Sequence, residues 1–286
     1  METLSGIKAH TLRIWEKRYS IITPKRTPTN IRYYTDEDLR NLLNVAFLNK
    51  QGIKISKIAK MDAGEIISTV SDYTKLTLNA DDQIETLLLF IFQLDCYNLD
   101  KIFDEYISQI GLERTMMELI YPLLERLSMA WLTGSFKGAH ESFVTQKIKL
   151  KIHACTQALE NRTDFSPKFL IYLPIGEKQE LSLMYMHFLL KKNKAKVINL
   201  GGDVSMMDVI EAVEIAKPEY IFTIINNEIG NNSFQNYIDE IASSMEEATL
   251  VVTGYLPVAK KINWPEKTIV LKDLSKTIEF ITSLSN

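Results

Sequence analysis

The 286-residue sequence predicts a multidomain protein of α and α/β class: a small basic helix-and-wing segment, a four-helix bundle cap, and a doubly wound parallel sheet of Rossmann or flavodoxin type. Three observations predict it. Charge is segregated: residues 1–60 hold 12 Lys/Arg against 5 Asp/Glu (net +7), and the remainder, 21 against 31, is net −10. Residues 81–160 carry sustained apolar stripes at helical spacing. From Phe169 onward, short apolar runs alternate with helical patterns, as parallel strands covered on both faces do.

The basic end comes first. Ser5-Gly6 is turn chemistry, and Ala9 to Tyr19 reads as a helix with Leu12, Trp15 and Tyr19 on one face. The other face presents His10, Thr11, Arg13, Lys17 and Arg18, a set suited to the major groove of DNA. In P-K-R-T-P-T-N-I-R-Y-Y, two prolines exclude a helix and residues 31–34 read as a strand. The result is a β-wing carrying Lys25, Arg26 and Arg32, cations placed to hold phosphates beside the helix. Thr35 then caps a helix whose buried stripe is Leu39, Leu42, Leu43, Ala46 and Phe47, ended by Gly52. A second short helix is expected over 56–61.

Residues 62–80 are mixed and read as a linker with room for a short helix. Beyond them four stripes predict an antiparallel bundle: Ile84, Leu87, Leu88, Ile91 and Leu94; Leu99, Ile102, Phe103, Tyr106, Ile107 and Ile110; Met116, Leu119, Ile120, Leu124, Leu127 and Trp131; and Phe143, Lys147, Ile148, Ile152, Cys155 and Leu159. Pro122 is the expected kink. Cys96 and Cys155 lie far apart in helical patterns, with neither disulfide nor metal-ligand spacing, and are expected as buried thiols. The expected strands are 169–173, 196–200, 220–225, 250–253 and 269–271, with helices near 180–192, 205–216, 233–245 and 275–285. Ligands bind such sheets at the carboxyl ends of strands, where the loops 176–182, 201–205 and 253–255 are expected. The sequence has no G-x-G-x-x-G for a dinucleotide, and the longest apolar run, 87–92, is too short for a bilayer. With no signal-peptide pattern, a cytoplasmic protein is expected.

T-L-R-I-W-E-K-R-Y, P-K-R-T and N-I-R-Y-Y-T-D-E-D-L together resemble the MerR family of winged helix-turn-helix regulators over residues 4–60. The resemblance implies a regulator that binds promoter DNA as a homo-dimer or higher homo-oligomer. It puts Thr11, Arg13, Lys17 and Arg18 in the recognition helix and Arg26, Asn30, Arg32 and Tyr33 in the wing and its backbone contacts; Lys25 joins them by position. Trp15 and Glu16 match the family's structural aromatic-acid pair. Only M-E-T-L precedes Ser5, so the first helix of the motif is expected to be missing.

A helical cap followed by an alternating sheet is similar to the cobalamin-binding module of methionine synthase and of cobalamin-dependent photoreceptor regulators, which carry a MerR-type domain in front. The family loop reads Asp or Glu, x, His, x, x, Gly, and its histidine ligates cobalt. Here Glu177 keeps the acid, Gln179 stands at the histidine position and Ser182 at the glycine. Gly201 and Gly254 match small positions in later loops. Trp131 and Glu141 keep the spacing of the photoreceptors' upper-face residues, with Ser142 in place of their histidine and His140 out of register. The cofactor implied is therefore cobalamin without its axial histidine. The expected organisation is 1–62 winged helix-turn-helix, 63–80 linker, 81–162 cap and 167–286 cobalamin-binding-like domain. The expected function is a DNA-binding regulator, not an enzyme, with no catalytic or metal residues assigned. The alternative is a protein-interaction module or cobalamin carrier with a vestigial DNA-binding domain.

Overall fold

The structure, a computed structural model, describes residues 7–22, 24–27, 29–74, 80–132, 136–160, 167–227, 233–245 and 247–284. The expected missing helix before Ser5 lies outside the described residues. The chain divides into two compact units, residues 1–147 and 148–286.

In the first unit, helix α1 (Ala9–Tyr19) buries Leu12 and Trp15. It stops where Ser20 turns left-handed at φ 52° and donates its N–H to the Glu16 carbonyl. Strands β1 (Lys25–Arg26) and β2 (Arg32–Tyr33) pair antiparallel as the wing. Asn30 stands at the tip with φ 64°, a conformation that asparagine tolerates better than most residues. Thr35 and Asp38 form a reciprocal capping box that starts α2 (Asp36–Lys50). Its stripe is buried as expected, with Ala46 half-buried and Leu48 added. Helix α3 (Ile55–Ile58) follows. The stretch read as a linker carries a 12-residue helix, α4 (Ala63–Thr74), packed against α2.

The bundle comprises α5 (Ala80–Gln93), α6 (Cys96–Thr115), a π-helical turn (Met116–Ile120), α7 (Tyr121–Leu132) and α8 (Gly138–Ala158). Its interruptions differ from expectation. Gly111, at φ 78° and ψ 162°, breaks the α6 segment, whereas Pro122 continues a helix. The π turn accounts for this: Tyr121 donates across five residues to the Met116 carbonyl, and Pro122, which has no N–H, falls in the first turn of the next helix, where proline is tolerated. Leu94 is not in the stripe. It lies past the end of α5 at φ 54° and is exposed, while the other members of that stripe are buried or half-buried. Nor are both thiols buried. Cys96 is exposed at the first position of α6, off the face made by Leu99, Ile102 and Phe103, and Cys155 is half-buried.

In the second unit, β3 (Lys168–Pro174), β4 (Lys196–Val204), β5 (Tyr220–Ile224), β6 (Thr249–Thr253) and β7 (Thr268–Leu271) form one parallel sheet in the order β4-β3-β5-β6-β7. This is a doubly wound α/β sheet whose strand order reverses beside β3. Helices α9 (Glu180–Lys192), α10 (Met206–Ala216), α11 (Phe234–Ser243), α12 (Tyr255–Ala259) and α13 (Leu274–Ser283) connect and cover it. Leu170, Tyr172, Ile221, Leu250 and Val252 join Val213, Phe234, Ile238 and Ile241 in one buried core. The alternate residues Phe169, Ile171 and Leu173 are also fully buried, so β3 is covered on both faces. The run expected as a loop from Gly201 is instead strand: β4 continues to Val204 with two register shifts against β3, and Gly201 adopts φ 84° in that irregular stretch. Helix α12 was not foreseen. Among the described residues no helix is long and apolar enough to cross a membrane.

Candidate functional site

The first unit displays the basic surface. Arg13, Lys17 and Arg18 are exposed on α1, and Thr11 is half-buried with its hydroxyl 3.3 Å from His10 Nε2. Lys25, Arg26, Asn30, Arg32 and Tyr33 are exposed on the wing. Two of these cations are held in place. Arg26 donates to the Asn30 side-chain oxygen at 2.6 Å, which stiffens the wing tip. Arg32 lies 3.5 Å from the Glu16 carboxylate, so the wing is tied to α1 by the acid that follows buried Trp15. One residue of the outer face escaped sequence reasoning. Ile14 is 47% exposed between Thr11 and Lys17, and its i+3 and i−3 spacing to them was the available signal.

The carboxyl ends of the strands carry the loop Ile175–Gln179. Glu177 is buried, and its carboxylate accepts backbone N–H groups from three residues: Lys178 at 2.9 Å, Asn226 at 2.7 Å and Asn227 at 3.3 Å. Asn226 in turn accepts the Tyr255 N–H through its side-chain oxygen at 2.7 Å. Three loops after β3, β5 and β6 are thus joined by a chain of hydrogen bonds centred on Glu177. Asp203, near the carboxyl end of β4, ties in that edge strand by accepting the Gly176 N–H at 3.0 Å. Sequence reasoning singled out Glu177 and the segment 201–205 that holds Asp203, but not Asn226, because nothing local marks a partner 49 residues away.

Gln179 stands at the N-cap position of α9 without a side-chain cap and is half-buried, and its side-chain oxygen accepts from the Ser182 hydroxyl at 3.3 Å. Gly254 has φ 118°, and a Cβ there would lie 2.4 Å from the Ile225 carbonyl oxygen. Its smallness is required by the neighbouring strand end. A Cβ at Gly201 would meet nothing within 4 Å, though its φ of 84° favours glycine.

Glu141 is exposed and lines a cavity of about 580 Å³ with Leu124, Leu127, Phe136 and Val144, all within the first unit. The Trp131 side chain lies outside the described residues. His140 accepts the Lys137 N–H at 3.2 Å and packs edge-on to Phe92, closing the start of α8. Among the described residues no group of three His, Cys, Asp or Glu is arranged to hold a metal.

A basic helix beside a two-stranded wing, followed by a capped helix, defines a winged helix-turn-helix. Residues 1–65 match the model of the MerR HTH family regulatory protein, and this part of the chain is a MerR HTH domain. The chain is homologous over a longer span to two HTH-type transcriptional repressors of Myxococcus xanthus. It is 25% identical to CarH over 236 residues (76% of this chain, 74% of the relative) and 20% identical to CarA over 253 residues (88% and 83%). Among solved structures it is similar to the monomethylamine corrinoid protein of Methanosarcina barkeri, at 10% identity and a TM-score of 0.49, over 70% of this chain and 96% of that one.

Proposed function

We propose that the protein is a DNA-binding transcriptional regulator of MerR type. In this reading residues 1–62 bind promoter DNA, 81–162 form a helical cap, and 167–286 form a B12-binding-like module for sensing or self-association. The observation that carries it is the exposed set Arg13, Lys17 and Arg18 on α1 beside Lys25, Arg26 and Arg32 on the wing, in a domain that matches the MerR HTH model. The helix cations reach the major groove, Ile14 offers an apolar contact to a thymine methyl, and the wing cations hold flanking phosphates. Arg26 and Arg32 reach phosphate with little ordering, because Asn30 and Glu16 already restrain them. The relatives' role as repressors supports regulation and leaves no need for a catalytic residue.

Cobalamin is the cofactor that the module's resemblance implies. The loop residues do not fit a nitrogen-ligated cobalt: Gln179 offers a carboxamide, a poor cobalt ligand, and that group is paired with Ser182. Glu177 is engaged with three backbone N–H groups, and the close approach of Ile225 explains Gly254. These observations favour a platform for self-association or a protein partner over a histidine-ligated cofactor site.

The test is fluorescence anisotropy with a promoter fragment selected from random DNA, over a range of salt. Wild-type log affinity falls linearly with log salt. Arg13→Ala with Arg32→Ala weakens binding by at least about 1–3 kcal/mol, the loss expected for the base contact alone, and flattens the salt slope by about 1, for the one phosphate contact removed. Unchanged affinity in a folded double mutant would remove the assignment. For the module, protein incubated with hydroxocobalamin and then desalted is examined by absorbance. Gln179→His gains bound cobalamin over wild type; a colourless protein in both cases rules out a usable pocket.

A further inference from the structure

Residues 191–196 read K-K-N-K-A-K, four lysines in six positions with no acid, in a chain that is net −10 beyond residue 60. DNA binding through the first unit does not use them. The fold bends this stretch at the end of α9 into the start of edge strand β4. Lys194 takes φ 66°, Asn193 donates back to the Leu189 carbonyl, and Ala195 to the Leu190 carbonyl. The turn closes one side of a groove of about 790 Å³, whose opposite wall is the last turn of α8 and the residues after it, Thr156 to Glu160. All of it lies within residues 148–286.

Cations near helix carboxyl ends have an ordinary use, and Lys191 serves it by donating to the Thr156 carbonyl at 3.0 Å. That account does not extend to Lys194 and Lys196. Both are exposed, line the groove and form no ion pair among the described residues. Glu160 is the single acid among the described lining residues. His187 also lines the groove. Burial holds its imidazole below the ordinary range, the nearby Lys191 and His153 lower it further, and its Nδ1 lies 3.2 Å from the Asn199 side-chain nitrogen.

The groove is separate from the loop network around Glu177. Lys196 pairs with Lys168 at the amino ends of β4 and β3, whereas Glu177 follows the carboxyl end of β3. A seven-residue strand lies between them, roughly 20 Å. The volume falls in the range of about 300–1,000 Å³ typical of small-molecule sites. A DNA duplex presents a convex cylinder that a recess of this size does not admit. Lys194 and Lys196 offer two exposed cations to the groove, with Lys191 and Lys192 lining it beside them, a set that matches linked negative charges.

We propose that this groove binds a small anion bearing several linked phosphates, either a nucleoside polyphosphate or a plain phosphate chain, with Lys194 and Lys196 as its principal contacts. The test is isothermal titration calorimetry of the full chain with inorganic tripolyphosphate and, separately, adenosine triphosphate, both in EDTA. Lys194→Ala with Lys196→Ala is compared with a control pair of exposed lysines, Lys261→Ala with Lys272→Ala. The double variant in the groove weakens tripolyphosphate binding by about tenfold, and the control pair does not. Binding also raises the NMR-measured pKa of His187, and this rise disappears in Lys194→Ala/Lys196→Ala. Tighter binding of adenosine triphosphate identifies a nucleotide ligand; equal binding identifies the phosphate chain alone. The proposal is overturned by absent binding, by equal loss in both double variants, or by a loss seen only with non-promoter duplex DNA.

Discussion

Replacing Glu177 tests the link between one buried side chain and the shape of the loop cluster. Glu177→Ala leaves the N–H groups of Asn226 and Asn227 without the acceptor that now lies at 2.7 and 3.3 Å. The Lys178 N–H is local, in an exposed residue, and water replaces that bond. Two hydrogen bonds to a buried charged group are worth about 1.5–3 kcal/mol each, with the longer at the low end. Part of this is offset because the carboxylate no longer leaves water on folding. The net expectation is a loss of about 3 kcal/mol. In a unit of this size that lowers Tm by about 6–12 °C. Glu177→Gln retains one acceptor oxygen and loses about half as much. Calorimetry of the full chain reads both variants. An alanine variant within about 0.5 kcal/mol of wild type would refute the claim that Glu177 holds the loops. A second check is coupling: Asn226→Ala removes the bond to the Tyr255 N–H, and its effect adds to that of Glu177→Ala by less than the sum, because both act on one chain of bonds.

Three further outcomes are expected. Gly254→Ala costs more than about 3 kcal/mol, since its Cβ would lie 2.4 Å from backbone at a φ of 118°; a thermal melt close to wild type would contradict this. The buried hydroxyls of Tyr172 and Tyr237 are 2.7 Å apart, so Tyr172→Phe or Tyr237→Phe alone costs about 1–2 kcal/mol while the double variant recovers part of it, as a denaturation cycle will show. Burial and the neighbouring Lys191 and His153 depress the His187 pKa in the folded state, so its contribution is fully present above the unfolded imidazole pKa of about 6.5 and is lost as pH falls through the folded value. His187→Gln therefore flattens the acid side of the stability profile, and an unchanged profile would dismiss the field in the groove.

Much of this architecture was legible in the residues. The bounds of α1 follow from Leu12, Trp15 and Tyr19 recurring at helical spacing, and the start of α2 from Thr35 and Asp38 in capping positions. Five apolar runs alternating with helical patterns were enough for a parallel sheet. These features are local: periodicity, caps and turn residues act within a few positions, so the sequence carries them directly. The basic faces of α1 and the wing were legible for the same reason, although Ile14 among them was not singled out.

What remained belongs to partners distant in the chain. Pro122 looked like the break, but a π turn placed before it removed the conflict, and Gly111 broke the segment instead. Gly201 looked like a loop residue until pairing with β3 drew it into the edge strand. Glu177 looked like the edge of a cofactor loop, and the fold made it the acceptor for a strand end 49 residues on. The lysines of 191–196 were not singled out, because only the end of α8 set against them makes a groove wall. The sequence by itself determined which segments are helix or strand and which face of each is apolar or charged, because those depend on local dihedral preference and burial period. Only the tertiary structure decided which polar groups satisfy one another and which charges share a recess, because a buried hydrogen-bond acceptor or an uncompensated cation is defined by what packs across from it.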